Sequence, residues 1–155
     1  IYVALPMALL LFVPQQLVDR WSGLAMLAFI GIIWVNDIFA YLVGITLGKH
    51  RLCERISPKK SWEGSIGGAL LSIGSSLVFA HLFPIMAMWQ WAGLALVVVV
   101  FGTWGDLCES LMKRQIGIKD SGSILPGHGG WLDRFDSALL AIPAAVVYLY
   151  FIATL

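Results

Sequence analysis

The stretch GLAMLAFIGIIWVNDIFAYLVGITLGKH, residues 23–50, decides what kind of fold this chain can adopt. It stays apolar for longer than the roughly 20 residues that a helix needs to cross the hydrocarbon core of a bilayer. Asp37 is its one acidic or basic residue before Lys49. The stretch therefore predicts a transmembrane helix with a carboxylate near its middle.

Four other apolar segments give the chain the composition of a membrane protein. It is 59% hydrophobic and 12% charged, with a mean hydropathy of +0.86, whereas a soluble domain has about a quarter charged residues. We predict an all-α, polytopic transmembrane helical bundle with a polar cavity that faces the cytoplasm. All segments but the first are long enough to span a bilayer. The predicted segments are residues 1–13, 23–48, 64–83, 89–108 and 137–155.

The first segment, residues 1–13, is too short for a span and has neither a basic leader nor a cleavage site. It predicts the tail of a helix that begins further upstream. We therefore expect residues 1–155 to be the C-terminal membrane region of a longer protein. That region would contain about five transmembrane segments, of which the first is truncated, and the N-terminal helices would lie outside it.

The distribution of charge predicts the orientation in the membrane and excludes one class of partner. The net charge of +1 gives no polybasic signal for nucleic acid. Five basic residues and one acid lie in residues 49–61, and Lys113, Arg114 and Lys119 follow the fourth segment. The positive-inside rule places both basic loops on the cytoplasmic side and the uncharged turn at residues 83–90 on the other.

Some residues predict how the helices pack. Trp89, Trp91 and Tyr148 lie near segment ends and predict interfacial anchors. Cys53 and Cys108 form no metal-binding pair and predict buried thiols. Small residues also recur at every fourth position of two helices, a spacing that lets helix backbones approach closely in lipid. They are Ala40, Gly44 and Gly48 on the second segment, and Gly64, Gly68, Ser72, Ser76 and Ala80 on the third.

Asp37 has two interpretations. A carboxylate at membrane depth costs several kcal/mol unless it faces a wet cavity or has a partner. Asp37 is therefore either a buried polar clamp between helices or part of the wall of a polar, cytoplasm-facing site. Asn36 adjoins it, and Tyr41 lies one helical turn away on the same face.

The end of the fourth segment carries ionisable groups that a continuing helix would place in one polar stripe. Further along, Asp133 and Asp136 are three residues apart and would point the same way on a helix. Carboxylate oxygens suit Mg²⁺, and no His or Cys cluster indicates a softer metal. The residues of the stripe are Asp106, Glu109, Ser110 and Lys113.

Two loops offer groups that bind anions. The run PGHGG, residues 126–130, supplies backbone amides that can cradle phosphate oxygens, while His128 serves either catalysis or a hydrogen bond within the loop. Lys59 and Lys60 precede a predicted helix start at Ser61, which favours an anion, although the same charge could serve topology alone. Together with the carboxylates, these features indicate phosphoryl or nucleotidyl transfer at a cytoplasmic membrane surface.

The sequence SLMKRQIGIKDSGSILPGHGGWLDRFD, residues 110–136, resembles the signature of the phosphatidate cytidylyltransferases, also called CDP-diacylglycerol synthases. GDLCES, SPKKSWEG and NDIFAYLVGITLGKH resemble other stretches of that family, so the resemblance covers about residues 34–137. It implies that CTP and phosphatidate react with Mg²⁺ to give CDP-diacylglycerol and pyrophosphate for phospholipid synthesis. Family members carry several more N-terminal membrane helices than this sequence.

The resemblance also implies a role for individual residues in a multi-pass protein of a bacterial cell membrane. The resemblance does not decide whether a second cation binds or whether the protein forms a homodimer. The resemblance implies Asp106 and Asp133 as the first candidates for metal binding, and Asp136 and Asp37 as the second. The implied catalytic residues are Asp106, Asp133, Lys113 and Arg134, and the implied substrate-binding residues are Lys59, Lys60, Ser110, Arg114, Lys119, His128, Gly129 and Gly130.

Two other functions are weighed against this one. Asp37 within a span is compatible with a transporter, but the inverted repeats typical of transporters are not visible in the sequence. A CDP-alcohol phosphotransferase would also act on CDP-lipids, but its D-G-x-x-A-R motif does not occur.

Overall fold

The protein is described here from a computed structural model that covers residues 2–17, 23–54, 56–118, 130 and 132–153. Six helices and one small antiparallel hairpin make up this part of the chain. In chain order they are α1 (Ala4–Leu10), α2 (Val13–Leu17), α3 (Gly23–Leu47), β1 (Arg51–Cys53), β2 (Ser57–Ser61), α4 (Trp62–Leu82), α5 (Met88–Gln115) and α6 (Asp136–Ala153), with a 3-10 turn at Leu132–Arg134 before α6.

Three helices, α3, α4 and α5, are long and apolar enough to cross a membrane. This confirms the predicted transmembrane bundle. The fifth predicted segment forms α6, which within the described residues is a shorter apolar helix, so three of the four predicted spans reach full length. The hairpin is the one departure from an all-α fold in the described part of the chain.

The first predicted segment is not one continuous helix, because α1 ends at Leu10 and α2 begins at Val13. Pro14 explains the break. Its ring would clash with the carbonyl group of Leu10 in a continuous helix.

The small residues predicted to pack the helices lie at the contact between α3 and α4. All five of those on α4 are buried. A Cβ atom added to Gly64 would lie 2.6 Å from the carbonyl oxygen of Ala40 and 2.9 Å from Cα of Gly44. The two backbones therefore meet with no room for a side chain, as the spacing predicted.

Gly64→Ala should lower the free energy of unfolding by about 1–3 kcal/mol, because the added methyl group meets backbone atoms that cannot rotate away. Gly74 on the same helix is the matched control, since a Cβ atom there has nothing within 4 Å. Gly74→Ala should be neutral or stabilise the helix by up to about 1 kcal/mol. Denaturant unfolding in detergent would measure both variants, and equal midpoints would contradict the close approach.

Two predictions about individual side chains are wrong. Trp91 is 0% exposed and packs against Phe79 in the protein interior, so it is not an interfacial anchor. Trp89, two residues earlier, is 63% exposed and fits that role. Cys108 is exposed and Cys53 is half-buried, so neither is the buried thiol that was predicted. Segment position alone does not say which side of a helix faces its neighbours.

The hairpin positions the basic loop against the bundle. Its strands pair Arg51 with Ser61 and Cys53 with Ser57. The Ser61 side chain then accepts a hydrogen bond from the Gly64 N–H at 3.2 Å, so Ser61 caps α4, as predicted. Because the hairpin ends at this cap, Lys59 and Lys60 stand beside the N-terminus of a membrane-spanning helix.

Candidate active site

A cavity of about 1130 Å³ opens where the hairpin meets α3, α4, α5 and the start of α6. Carboxylates from three different parts of the chain and cations from the hairpin line it. This brings together groups that lie up to about a hundred residues apart in sequence. The ionisable lining residues are Asp37, Arg51, Lys59, Lys60, Asp106, Asp133 and Asp136.

Asp106 is held from two directions. The helix α5 continues beyond the apolar segment to Gln115, so the predicted polar stripe forms. Within it, Ser110 Oγ donates a hydrogen bond to Asp106 Oδ1 at 3.2 Å. Lys60 Nζ, from the hairpin, forms an ion pair with Asp106 Oδ2. Each oxygen of this carboxylate therefore already has a partner.

Lys113 lies between two carboxylates. Its Nζ is 2.6 Å from Asp133 Oδ1 and 3.2 Å from Glu109 Oε1. Glu109 is only 1% exposed, and neither of its carboxylate oxygens has a hydrogen bond from the residues that the structure describes. Asp133 Oδ2 also accepts the Gly130 N–H at 2.7 Å. Lys113 thus neutralises a buried anion and anchors the chain just before α6.

Asp37 and Asp136 are both held by Ser137. The hydroxyl group of Ser137 donates to Asp37 Oδ2 at 2.9 Å, and its backbone N–H donates to Asp136 Oδ1 at 2.6 Å. Both carboxylates line the cavity. Asp37 therefore contacts another helix and forms part of the cavity wall, so the two interpretations of its position are compatible.

Comparison with known proteins identifies the family. A sequence model described as the cytidylyltransferase family matches residues 1–152. The chain belongs to the cytidylyltransferase family. This confirms the family that the signature in residues 110–136 resembled.

Two relatives of this cytidylyltransferase chain bear the name phosphatidate cytidylyltransferase. The protein of Staphylococcus aureus (strain COL) is 48% identical over 113 residues, which are 72% of this chain and 44% of the relative. The protein of Brucella abortus biovar 1 (strain 9-941) is 43% identical over 133 residues, which are 85% of this chain and 48% of the relative. The chain spans about half the length of the curated relatives it matches.

The structure brings some of the predicted cytidylyltransferase site residues to the cavity and leaves others aside. The four aspartates, Lys59 and Lys60 line it. Ser110 and Lys113 contact its carboxylates without lining it, and Gly130 contacts Asp133 through its backbone. Arg114 is exposed, and its Nε lies 3.5 Å from the Ile56 carbonyl oxygen, so it is not brought to the cavity. Lys119, His128 and Gly129 lie outside the described residues, as does the side chain of Arg134.

Two residues at this site are absent from the predicted set: Arg51, which lines the cavity, and Ser137, which contacts one of its carboxylates. As one of the basic residues in the loop at residues 49–61, Arg51 predicts only the orientation in the membrane, yet it lines the cavity. Its position opposite Ser61 in the hairpin is the feature that places it there, and the short polar loop gave little sign of a strand pair. Ser137 is the first residue of the predicted apolar segment 137–155, and its partner Asp37 is a hundred residues away.

The carboxylates suit a magnesium ion that arrives with a nucleotide. No group of three or more His, Cys, Asp or Glu residues converges on one metal position within the described ranges. Mg²⁺ does not need such a cage, because it commonly uses one or two carboxylates and completes its shell with substrate phosphates and water. The cavity aspartates fit that mode of binding.

Proposed function

We propose that this chain carries the nucleotidyl-transfer site of an enzyme that converts CTP and phosphatidate to CDP-diacylglycerol and pyrophosphate. The observation that carries the proposal is the mixed lining of the cavity. Carboxylates and lysines line one part, while Trp34, Tyr41 and Ile45 of α3 contribute large side chains that also extend to the outer surface. Such a site suits one ionic substrate and one lipid substrate. The names of the two relatives support the same assignment.

In this reaction a phosphate oxygen of phosphatidate attacks the α-phosphorus of CTP, and the bond to the β-phosphate breaks as pyrophosphate leaves. The cations of the hairpin offset the charge of the phosphates. Arg51 and Lys59 line the cavity on strands β1 and β2, where they can contact a triphosphate or a lipid headgroup. Lys60, already paired with Asp106, adds a positive charge at the same wall. No covalent intermediate on the enzyme is required.

Mg²⁺, when bound, would neutralise charge on the triphosphate and on the leaving pyrophosphate. Asp37, Asp106 and Asp136 are the cavity residues that we propose to hold it, alone or with a second cation. Asp133 contributes by fixing Lys113 and the Gly130 amide at the edge of the cavity.

The test uses the full-length protein in detergent with radiolabelled CTP and phosphatidate. Label should appear in the lipid phase, should require a divalent cation and should disappear after exhaustive chelation. Label that stays in the aqueous phase would refute the proposed activity. Full turnover after chelation would refute the metal requirement alone. The comparisons give no support to a transporter or a CDP-alcohol phosphotransferase.

We also propose that the cavity opens on the cytoplasmic side. The two basic loops meet at one end of the bundle, because Arg114 at the end of α5 lies 3.5 Å from the carbonyl oxygen of Ile56 in the hairpin. The positive-inside rule assigns that end to the cytoplasm. The uncharged turn between α4 and α5 lies at the opposite ends of the same helices.

A cysteine at Met88, the exposed first residue of α5, should react with a membrane-impermeant maleimide added from outside the cell. The background for this variant lacks Cys53, Cys108 and any cysteine outside residues 1–155, so that the introduced thiol is the one that is labelled. A cysteine at Lys59 should react only after the membrane is permeabilised. The reverse labelling pattern would overturn the orientation.

A further inference from the structure

Ser137 lies where α5, α6 and α3 meet, and it is 4% exposed. Gly105 of α5 allows the start of α6 to come this close. A Cβ atom on Gly105 would lie 2.5 Å from the Asp136 carbonyl oxygen and 3.3 Å from the Ser137 carbonyl oxygen. The position of the Ser137 side chain is therefore set by close backbone packing.

The charges around the cavity divide its carboxylates into two pairs. Asp106 and Asp133 have ion-pair partners, Lys60 and Lys113. Asp37 and Asp136 have no ion-pair partner among the described side chains, although both line the cavity. Asp37 lies within a helix long enough to cross a membrane, where a carboxylate without a counter-charge is costly. A divalent cation that contacts these two carboxylates would balance their charge.

We infer that Ser137 is a positioning residue that holds the carboxylates of Asp37 and Asp136 toward one divalent cation in the cavity. One residue reaches both, Asp37 through its hydroxyl group at 2.9 Å and Asp136 through its backbone N–H at 2.6 Å. Each contact engages one oxygen atom of its carboxylate and limits rotation of that group. The inference rests on the proposed function, because it assumes that the cavity takes a metal ion with the nucleotide.

The two contacts of Ser137 can be separated by mutation. Replacing the side chain removes the hydrogen bond to Asp37 but leaves the backbone N–H that serves Asp136. Hydrogen-bonding groups that orient metal ligands typically contribute about 10- to 100-fold to metal affinity. A loss in that range should follow from removing this hydroxyl group alone.

The experiment measures the affinity of the full-length protein for Mn²⁺ in detergent, by the loss of the free-ion signal in electron paramagnetic resonance. Ser137→Ala should weaken Mn²⁺ binding about tenfold or more. Ser137→Thr, which keeps the hydroxyl group, should stay within about threefold of the unmodified protein on the same reasoning. The half-saturating Mn²⁺ concentration for turnover should rise in Ser137→Ala, while kcat at saturating metal should largely recover.

Ser65→Ala is the matched control. Ser65 also lines the cavity, but its hydroxyl group donates to the Ser61 carbonyl oxygen at 3.1 Å. Its loss should leave Mn²⁺ affinity unchanged. Should Ser137→Ala fail to fold, Ser137→Cys keeps the volume with a much weaker donor and should show the same loss of affinity.

Three outcomes would overturn the inference. Ser137→Ala and Ser137→Cys could bind Mn²⁺ as tightly as the unmodified protein, Ser137→Thr could be as weak as Ser137→Ala, or the unmodified protein could fail to bind Mn²⁺. The proposed activity is judged separately by label from CTP in the lipid phase. If all variants make CDP-lipid and bind Mn²⁺ with equal affinity, the role of Ser137 is refuted and the proposed activity is retained.

Discussion

Lys113→Met should lower the free energy of unfolding by about 3–5 kcal/mol and abolish turnover, because removing one partner of a buried ion pair leaves the other charge uncompensated. Of the two carboxylates left without this cation, Glu109 is the more deeply buried. It is almost fully buried and lies 3.2 Å from Lys113 Nζ. Methionine keeps most of the length of the lysine side chain, so the loss of charge dominates over the loss of packing.

The double variant Glu109→Gln/Lys113→Met separates the structural role from the catalytic one. With the almost fully buried charge of Glu109 removed and only the more exposed Asp133 left without its cation, much of the lost stability should return. Turnover should not return, since Asp133 still lacks the cation that lies 2.6 Å away in the unmodified protein. Denaturant unfolding and CDP-lipid formation measure the two effects. A double variant that is as unstable as Lys113→Met would show that Glu109 is not the reason for the destabilisation.

Asp133→Asn should reduce CDP-lipid formation about a thousandfold and leave a folded protein in the membrane. Asp133 accepts hydrogen bonds through both carboxylate oxygens, from Lys113 and from the Gly130 amide. Asparagine has only one acceptor oxygen and no charge, so it cannot satisfy both donors. Lys113 would then pair with Glu109 alone, and the chain at Gly130 would lose its anchor.

Leu132→Ala is the control for Asp133→Asn, since it removes apolar packing from the adjacent residue and changes no charge. It should keep most of the turnover of the unmodified protein. A thermal melt of each variant distinguishes loss of chemistry from loss of fold. Near-normal turnover of Asp133→Asn would remove the case that its charge is needed, and so would an unfolded protein.

Properties that depend on neighbours along the chain could be predicted from the sequence. The apolar runs predicted the three long helices, and the fourfold spacing of small residues predicted the α3–α4 contact at Gly64. The cap at Ser61 and the stripe from Asp106 to Lys113 followed in the same way, because helix starts and helix faces are set by residues within a few turns. The signature in residues 110–136 indicated the family for the same local reason.

Some local predictions failed where the outcome depended on what packs against the helix. Trp91 is near a segment end like Trp89, but it faces the interior, while Trp89 is exposed. The two differ by two positions, which is a little over half a turn of an α-helix. Periodicity places them on different faces without saying which face meets protein and which meets lipid.

The sequence by itself determined the membrane bundle, the family and the set of carboxylates and lysines from which a site could be built. Only the tertiary structure decided how these groups pair: Lys60 with Asp106, Lys113 with Glu109 and Asp133, and Ser137 with Asp37. Two of these pairs, Lys60–Asp106 and Ser137–Asp37, join residues on different elements that are far apart in the chain. Such contacts depend on how the helices approach one another, and that approach is set by packing over the whole bundle, which no local pattern of residues encodes.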